Sequence, residues 1–366
     1  MFKLFCTCLK RDIILLPKKH LRGAIYNEFN KYPPLSTIVI NSKNIGRSVL
    51  FPRKKLRPKK KGTFTMNNYT VKTFQIQHRS QKLVVPCDKL SRKLFKLPAE
   101  KYAAILAGNC RYRCSVGEKK GAKIFIECRL ELVDGYTDFS PPDAFAREVL
   151  FHAISLYAQD VQVFSPLTML HSLTGVDKPR VYKEQYAAIR RALDKLANTR
   201  IEINLEPMFK DFPSYRKNYS GKSIIAGRLL PSFFLEGKIN GQKTFAVEML
   251  DESPLMTVAK VQKQILTYDA TPLAIAGQKN TPNVIVSKNK LLRRINLIKT
   301  GRLSNPSVVI EKFCEECGIV NADRWQRQDF LKSLTATLQS CKAVGVIKNA
   351  EFEKQDNAYH AIKIIY

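Results

Sequence analysis

Residues 164–198 read FSPLTMLHSLTGVDKPRVYKEQYAAIRRALDKLAN, and this stretch decides the fold. Ser165 followed by Pro166 is a strong helix start. The serine oxygen accepts from a first-turn amide, and proline lacks the amide that would stay unpaired there. Gly175 is a natural C-terminal stop, because glycine enters the left-handed region without strain. Val176–Pro179 reads as a turn. A further helix is then expected from about Arg180 to Asn198. Its apolar positions Tyr182, Tyr186, Ile189, Leu193 and Leu196 recur at intervals of four and three, which is one continuous stripe. Arg180, Lys183, Arg190, Arg191 and Lys195 fall on the other face. The result is a helix–turn–helix from Ser165 to Asn198.

The flanks extend the pattern. Asp143 caps an expected helix running to Gln159, with Phe145, Val149, His152, Ile154 and Leu156 apolar-facing. His152 on that face reads as a hydrogen-bonded core histidine rather than a ligand. After Asn198, Ile201, Ile203 and Leu205 alternate as in a strand. A loop spans Pro207–Lys222, and strands are expected over Ser223–Leu230 and Lys243–Leu250. Three helices followed by a hairpin with a basic loop is the winged-helix order. On this reading the wing carries Lys210, Tyr215, Arg216, Lys217 and Lys222. Pro254–Tyr268 reads as a connecting helix, and Asp269–Asn283 as a linker.

A second copy of the pattern runs from about Lys288 to Gly345. Leu291, Leu292, Ile295, Leu297 and Ile298 form a helical face, with Lys290, Arg293, Arg294 and Lys299 outside it. Gly301 stops this helix. Ser304-Asn305-Pro306 is expected to start another, ending at Gly318. Asp323 caps a third, from Arg324 to about Ala343, with Phe330, Leu334, Leu338 and Cys341 in the core and Arg324, Gln326, Arg327, Gln328 and Lys332 exposed. Val344–Phe352 and Ala358–Tyr366 form a closing hairpin.

The 366 residues carry a formal charge of +31. The first 65 residues hold 16 Lys and Arg against 2 acids, which leaves 46 against 29 on the rest. Folded parts so basic imply a polyanionic partner. Residues 1–65 lack periodicity and contain the run Arg53–Gly62; they read as a doubtful or disordered basic extension. Lys60-Lys61-Gly62 can be encoded by a purine-rich ribosome-binding sequence, so the natural start is expected at Met66. No run of 18 apolar residues exists, so no membrane contact is expected, and a cytoplasmic bacterial location is. Residues 66–140 read as a small mixed segment. It holds a helix over Leu94–Ala107 and strands over Arg111–Val116 and Lys123–Val133, the second placing Ile124, Ile126, Cys128, Leu130 and Leu132 on one face.

Catalytic chemistry finds little support. No Gly-x-x-x-x-Gly-Lys phosphate loop is present. His20, His78, His152, His171 and His360 are isolated, without the paired histidines of metal-dependent nicking enzymes. Cys314 and Cys317 form a C-x-x-C pair with no second pair at ligand spacing, and they read as core residues; Cys110 and Cys114 flank a basic strand and read as structural. Asp134 and Asp138 read as turn residues. The expectation is a non-enzyme with no cofactor and no metal.

A helix in the major groove reads base edges with its N-terminal part, where Arg suits guanine and Gln suits adenine. Arg180, Lys183, Arg324, Arg327 and Gln328 are therefore the base-reading candidates. Lys178, Arg190, Arg191, Lys195, Lys210, Arg216, Lys217, Lys222, Arg293, Arg294, Lys332 and Lys354 are the phosphate candidates.

Three segments carry a family resemblance: Phe164–Gly175, Tyr186–Leu196 leading into a strand, and Leu291–Lys299 together with the hairpin Ala350–Tyr366. Over about residues 140–366 the chain resembles the theta-type plasmid replication initiators of the iteron-binding, tandem winged-helix class. That resemblance implies binding of double-stranded DNA at origin repeats, melting of adjacent AT-rich duplex, recruitment of the host replicative helicase or initiator, and a homodimer. A transcriptional regulator with two winged-helix units shares the same physics. The expected fold is α+β: residues 66–140 a mixed segment, 141–270 a first winged helix, 271–286 a linker, and 287–366 a second winged helix.

Overall fold

The computed structural model describes residues 82–366, except 109, 120, 178, 180–181, 218, 240–241, 321–322 and 356–357, together with the strands β1 (Ile38–Ile40) and β2 (Tyr69–Val71). The expectations for residues 1–65 otherwise lie outside the described residues, as does the proposed start at Met66. The chain divides into two units, residues 1–76 with 237–244, and residues 77–236 with 245–366. In the first, β1 pairs antiparallel with β2 and with Gly237 and Lys238.

The second unit is α+β, and its centre is a helix. Asp143 caps α3 (Ala144–Tyr157) by accepting from Ala146 N at 2.7 Å, and every residue from Phe145 to Ser155 is buried. A helix buried all round needs neighbours on every side. Its polar residues accordingly find their partners in other elements.

Before α3 come β3 (Lys82–Pro86), α1 (Lys89–Leu94), α2 (Ala99–Leu106), β4 (Tyr112–Lys119) and β5 (Ala122–Leu132). The helix expected over Leu94–Ala107 is α2, which starts only at Ala99 with Pro98 at its N-cap, and the additional helix α1 ends at Leu94, where the expected span begins. The alternation in β5 holds: Ile124, Ile126, Cys128 and Leu130 are buried, and Leu132 is half-buried. Cys114 is also buried, whereas Cys110 is exposed and so has no part in the core.

The first helix–turn–helix keeps closely to the sequence pattern. After the two-residue strand β6 (Val163–Phe164), Ser165 Oγ accepts from Thr168 N to start α4 (Pro166–Thr174), and Gly175 ends it at φ 68°. The second helix of the pair, α5, spans Lys183–Ala197, with Ile189, Leu193 and Leu196 fully buried.

The segment after α5 departs from expectation. β7 (Thr199–Asn204), the short helices α6 (Glu206–Asp211) and α7 (Pro213–Lys217), and β8 (Ile224–Arg228) form an insertion. Its strands join β4 and β5 in a sheet ordered β4-β5-β7-β8, with Cys128 opposite Ile203 and Leu130 opposite Ile201. The hairpin belonging to the helix–turn–helix is β9 (Ser232–Ile239) with β10 (Gln242–Met249), and β10 pairs with β6 through Val247 and Phe164. Lys210, Tyr215, Arg216, Lys217 and Lys222, expected on a wing, lie on this insertion and not on the β9–β10 hairpin.

The expected connecting helix is α8 (Pro254–Val261) only. It ends in a turn at Lys263, φ 55°, and β11 (Ile265–Asp269) then pairs with β3. The second copy runs α9 (Pro282–Lys299), β12 (Ser307–Val309), α10 (Ile310–Glu316), α11 (Arg324–Ala343), β13 (Asn349–Gln355) and β14 (Ala358–Ile365). Ser304-Asn305-Pro306 leads into a strand, not a helix, with Asn305 Oδ1 accepting from Ser307 N. The sheet order is β12-β14-β13, so the strand between the first two helices pairs with the last strand of the hairpin. β6, β10 and β9 repeat that arrangement in the first copy.

The two copies do not hang on a loose linker. α9 starts inside the segment expected to be one, with Ile285 and Val286 buried, and it packs against α3, α4 and α11.

Candidate nucleic-acid interface

Glu148 of α3 is fully buried, and its carboxylate accepts from two guanidinium groups. Arg293 of α9 donates at 2.8 and 2.7 Å, and Arg147 donates at 3.2 and 3.0 Å. Burial alone would raise the Glu148 pKa, but Arg293 and Arg147 outweigh it and hold the carboxyl down at about 2. One turn on, His152 is buried between the copies. Asn289 Nδ2 donates to Leu173 O and Ile285 O, which turns Asn289 Oδ1 toward the ring to accept from His152 Nε2 at 2.8 Å. His152 Nδ1 is left to accept from Ser172 Oγ at 2.8 Å. Burial first of all pushes this imidazole down to about 4, so it is neutral. The core-histidine reading holds.

Further contacts tie α5 to the second copy. Gln185, in the first turn of α5, accepts from Tyr182 N and donates through Nε2 to Asn280 O, just ahead of α9. Asn280 Oδ1 accepts from Lys288 at 3.4 Å; that fully buried ammonium is pushed down to about 8 by desolvation. The α5 start is thus tied to the α9 start.

Lys183 is exposed in the first turn of α5, and Arg191 is exposed further along. Arg180 and Lys178 lie outside the described residues. Arg190 is occupied: its guanidinium stacks at 4.1 Å from the Phe234 ring centroid and 4.7 Å from that of Phe245, and it pairs with Glu236 at 3.2 Å. It fastens the β9–β10 hairpin to α5, helped by an edge contact between Tyr186 and Phe245.

The start of α11 is the more open of the two. Asp323 Oδ1 accepts from Gln326 N at 2.7 Å, and Gln326 Oε1 accepts from Asp323 N at 3.2 Å, a reciprocal capping box. Gln326 is thereby committed to the cap, while Arg324, Arg327 and Gln328 are exposed and free of it. Trp325 lies among them, 75% exposed. Sequence reasoning passed over it, although it is the only tryptophan of the chain and stands two residues after the cap. Tyr182, at the start of α5, is likewise exposed. Both α5 and α11 therefore open with an exposed aromatic near exposed cations.

Two phosphate candidates are withdrawn. Lys195 is buried, its ammonium donating to Asp138 O at 2.6 Å and Ser140 Oγ at 3.2 Å and pairing with Asp138 Oδ1 at 2.9 Å. The turn before α3 covers that side of α5, so it is not a solvated face. Asp138 is also the turn residue expected, accepting from Ser140 N. Arg293 is consumed by Glu148. Arg294 is half-buried and donates to Ser307 O. Lys210, Arg216, Lys217 and Lys222 are exposed on the insertion, where Arg216 donates to Gly221 O. Lys354 is exposed on β13 near the Tyr359 ring, and Lys332 is exposed on α11.

Cys314 and Cys317 are core thiols, and burial pushes Cys317 up to about 12. Among the described residues, no three His, Cys, Asp or Glu side chains are placed to hold a metal ion. Nor, among them, is any helix long and apolar enough to cross a membrane.

No protein-family model matches the chain, and no curated protein matches it in sequence. Among solved structures the chain is similar to structures of RctB domains 2 and 3. A selenomethionine structure of RctB domains 2 and 3 gives a TM-score of 0.32 at 10% identity, covering 69% of this chain and 90% of that one. Another structure of RctB domains 2–3 gives 0.36 at 9% identity, covering 70% and 91%.

Proposed function

We propose that the chain is a sequence-specific binder of double-stranded DNA, built on two winged helices, and that it acts as a plasmid replication initiator at origin repeats. One observation supports the binding part most directly. The exposed starts of α5 and α11 combine an aromatic ring with cations, and both belong to one packed unit. Helix starts of this kind enter the major groove, where Arg327 and Gln328 suit guanine and adenine edges. Trp325 and Tyr182 offer apolar faces to thymine methyl groups or to the sugar edge. Since α5 and α11 are held in one unit, they are expected to read grooves about one helical turn apart, roughly 10 base pairs. Initiation, origin melting, a helicase partner and a homodimer are supported by the sequence resemblance alone. The chain acts by binding, without ATP hydrolysis, DNA nicking or a cofactor.

Because Trp325 is the only tryptophan, its fluorescence reports one position. The full chain should select a duplex from a random pool, and that duplex should shift or quench Trp325 emission as it binds. Selected DNA that binds fully without altering the emission would remove α11 from the groove. For initiation, the gene with its flank should replicate a plasmid that has no other origin. Binding without replication would leave a DNA-binding regulator.

A further inference from the structure

Residues 278–281 lie between the starts of the two reading helices. On one side, Gln185 of α5 donates to Asn280 O. On the other, Gln278 and Lys279 form one wall of a cleft of about 340 Å³, whose opposite wall is Gln326, Asp329 and Lys332 on α11. Lys279 and Lys332 are both exposed and reach the cleft from opposite walls. Asp329 sits 3.9 Å from Lys332 with both side chains 75% exposed, and a pair so open to water contributes little. Its carboxylate nevertheless faces the same space as the two ammonium groups.

We propose that Lys279 and Lys332 hold the phosphodiester backbone between the two groove contacts, as a third DNA contact that rests on the proposed function. The chemistry favours phosphate over a base edge. A lysine ammonium is a donor-only point charge, suited to a phosphate oxygen and unable to complement the mixed donor and acceptor pattern of a base. The location favours it too. Residues 278–281 touch the start of α5 through Asn280 and line a cleft with Gln326 at the start of α11. The contact carries affinity and register, not sequence information.

The test uses the full chain and the duplex that the wild-type protein selects from a random pool. Affinity is measured from 50 to 200 mM salt, with phosphate-ethylation interference on the same duplex. Each phosphate contact contributes about 0.9 to the slope of log affinity against log salt. Lys279→Ala with Lys332→Ala should therefore shrink the affinity loss over that range roughly tenfold relative to wild type. Interference should vanish at the phosphates between the two grooves and persist at the bases within them. Asp329→Asn should tighten binding, because it removes the opposing carboxylate. Lys342→Ala, at the far end of the 20-residue α11, should leave the slope unchanged. If the wild-type protein contacts two grooves but the double variant keeps the wild-type slope and interference, the third contact is refuted and the proposed function stands. If the wild-type protein selects no duplex, the proposed function falls and the third contact with it.

Discussion

Removing the Glu148 carboxylate tests whether the two copies form one body. Glu148 is fully buried, and its partners Arg147 and Arg293 are 3% and 8% exposed. Glu148→Ala leaves two guanidinium groups out of water with their shared acceptor gone. Breaking a buried pair this way costs about 3–5 kcal/mol. The depressed carboxyl pKa leads to a similar figure. An ordinary glutamate titrates at 4.5, and here the carboxyl is held at about 2. At about 1.4 kcal/mol per unit, that shift corresponds to roughly 3 kcal/mol. The folded pKa is depressed, so this stabilisation is fully present above 4.5 and is lost as pH falls toward 2. Against a total of about 5–15 kcal/mol for a domain, Glu148→Ala should come close to unfolding the protein. Urea denaturation followed by circular dichroism and by Trp325 emission measures this, since one signal averages the chain and the other reports the second copy. In the wild type the two transitions should coincide. In a cycle with Arg293→Ala, the second substitution should cost much less once Glu148 is gone. A Glu148→Ala loss below about 1 kcal/mol, the size of an exposed pair, would refute the buried-triad argument. Separated wild-type transitions would refute the single body.

The other expected outcomes rest on the same contacts. His152 has a folded pKa of about 4 against 6.5 unfolded, so the unfolded chain takes the proton first and stability falls as pH drops from 6.5 toward 4. Melting between pH 7 and pH 5, where Glu148 does not titrate, should show that slope, and His152→Leu should remove it; an unchanged slope in the variant assigns it elsewhere. Arg327→Ala and Lys183→Ala should each cost about 1–3 kcal/mol on the selected duplex and relax preference at different base pairs; equal losses on selected and scrambled duplexes would mean that neither reads bases. Lys195→Ala should lower the denaturation midpoint and leave the salt slope of DNA binding at the wild-type value, because its ammonium is spent on Asp138 and Ser140; a reduced slope would return it to the phosphate contacts.

Elements whose pattern is local were legible in the sequence. Ser165, Pro166 and Gly175 bound α4 through contacts within a few residues, Asp323 caps α11, and Ile189, Leu193 and Leu196 of the expected α5 stripe are buried, although Tyr182 at its start is exposed. Strands such as β6, with two residues, and β12, with three, are too short to show a period and exist because β10 and β14 pair with them. The sheet that holds β7 was legible only in part. β7 pairs with β8 across the expected loop, as the sequence pattern has it, but its other partner is β5, about 70 residues earlier, and nothing in β7 itself records that pairing.

The reading of α9 failed in a more instructive way. Its apolar residues mark one face, and Lys290, Arg293 and Arg294 on the other look like a solvated surface. That inference assumes that charge on a helix faces water. Here the second face meets α3, where Glu148 matches Arg293, and His152 matches Asn289 at a separation of 137 residues. The same charge count therefore describes two kinds of arginine. Arg293 is a structural cation whose partner was present in the sequence but unassignable. Arg327 is a cation with no such carboxylate in its own helix turn and an exposed tryptophan beside it. Net charge alone could not separate them. The capping box could have helped, because it fixes where α11 begins and commits Gln326 to the cap, leaving its neighbours Arg324, Arg327 and Gln328 as the exposed polar side chains of that turn. Positions counted from a secure cap are thus better guides to a DNA-reading surface than positions counted from an apolar stripe. On that count Arg324, Trp325, Arg327 and Gln328 form the surface on which the DNA-binding proposal chiefly depends.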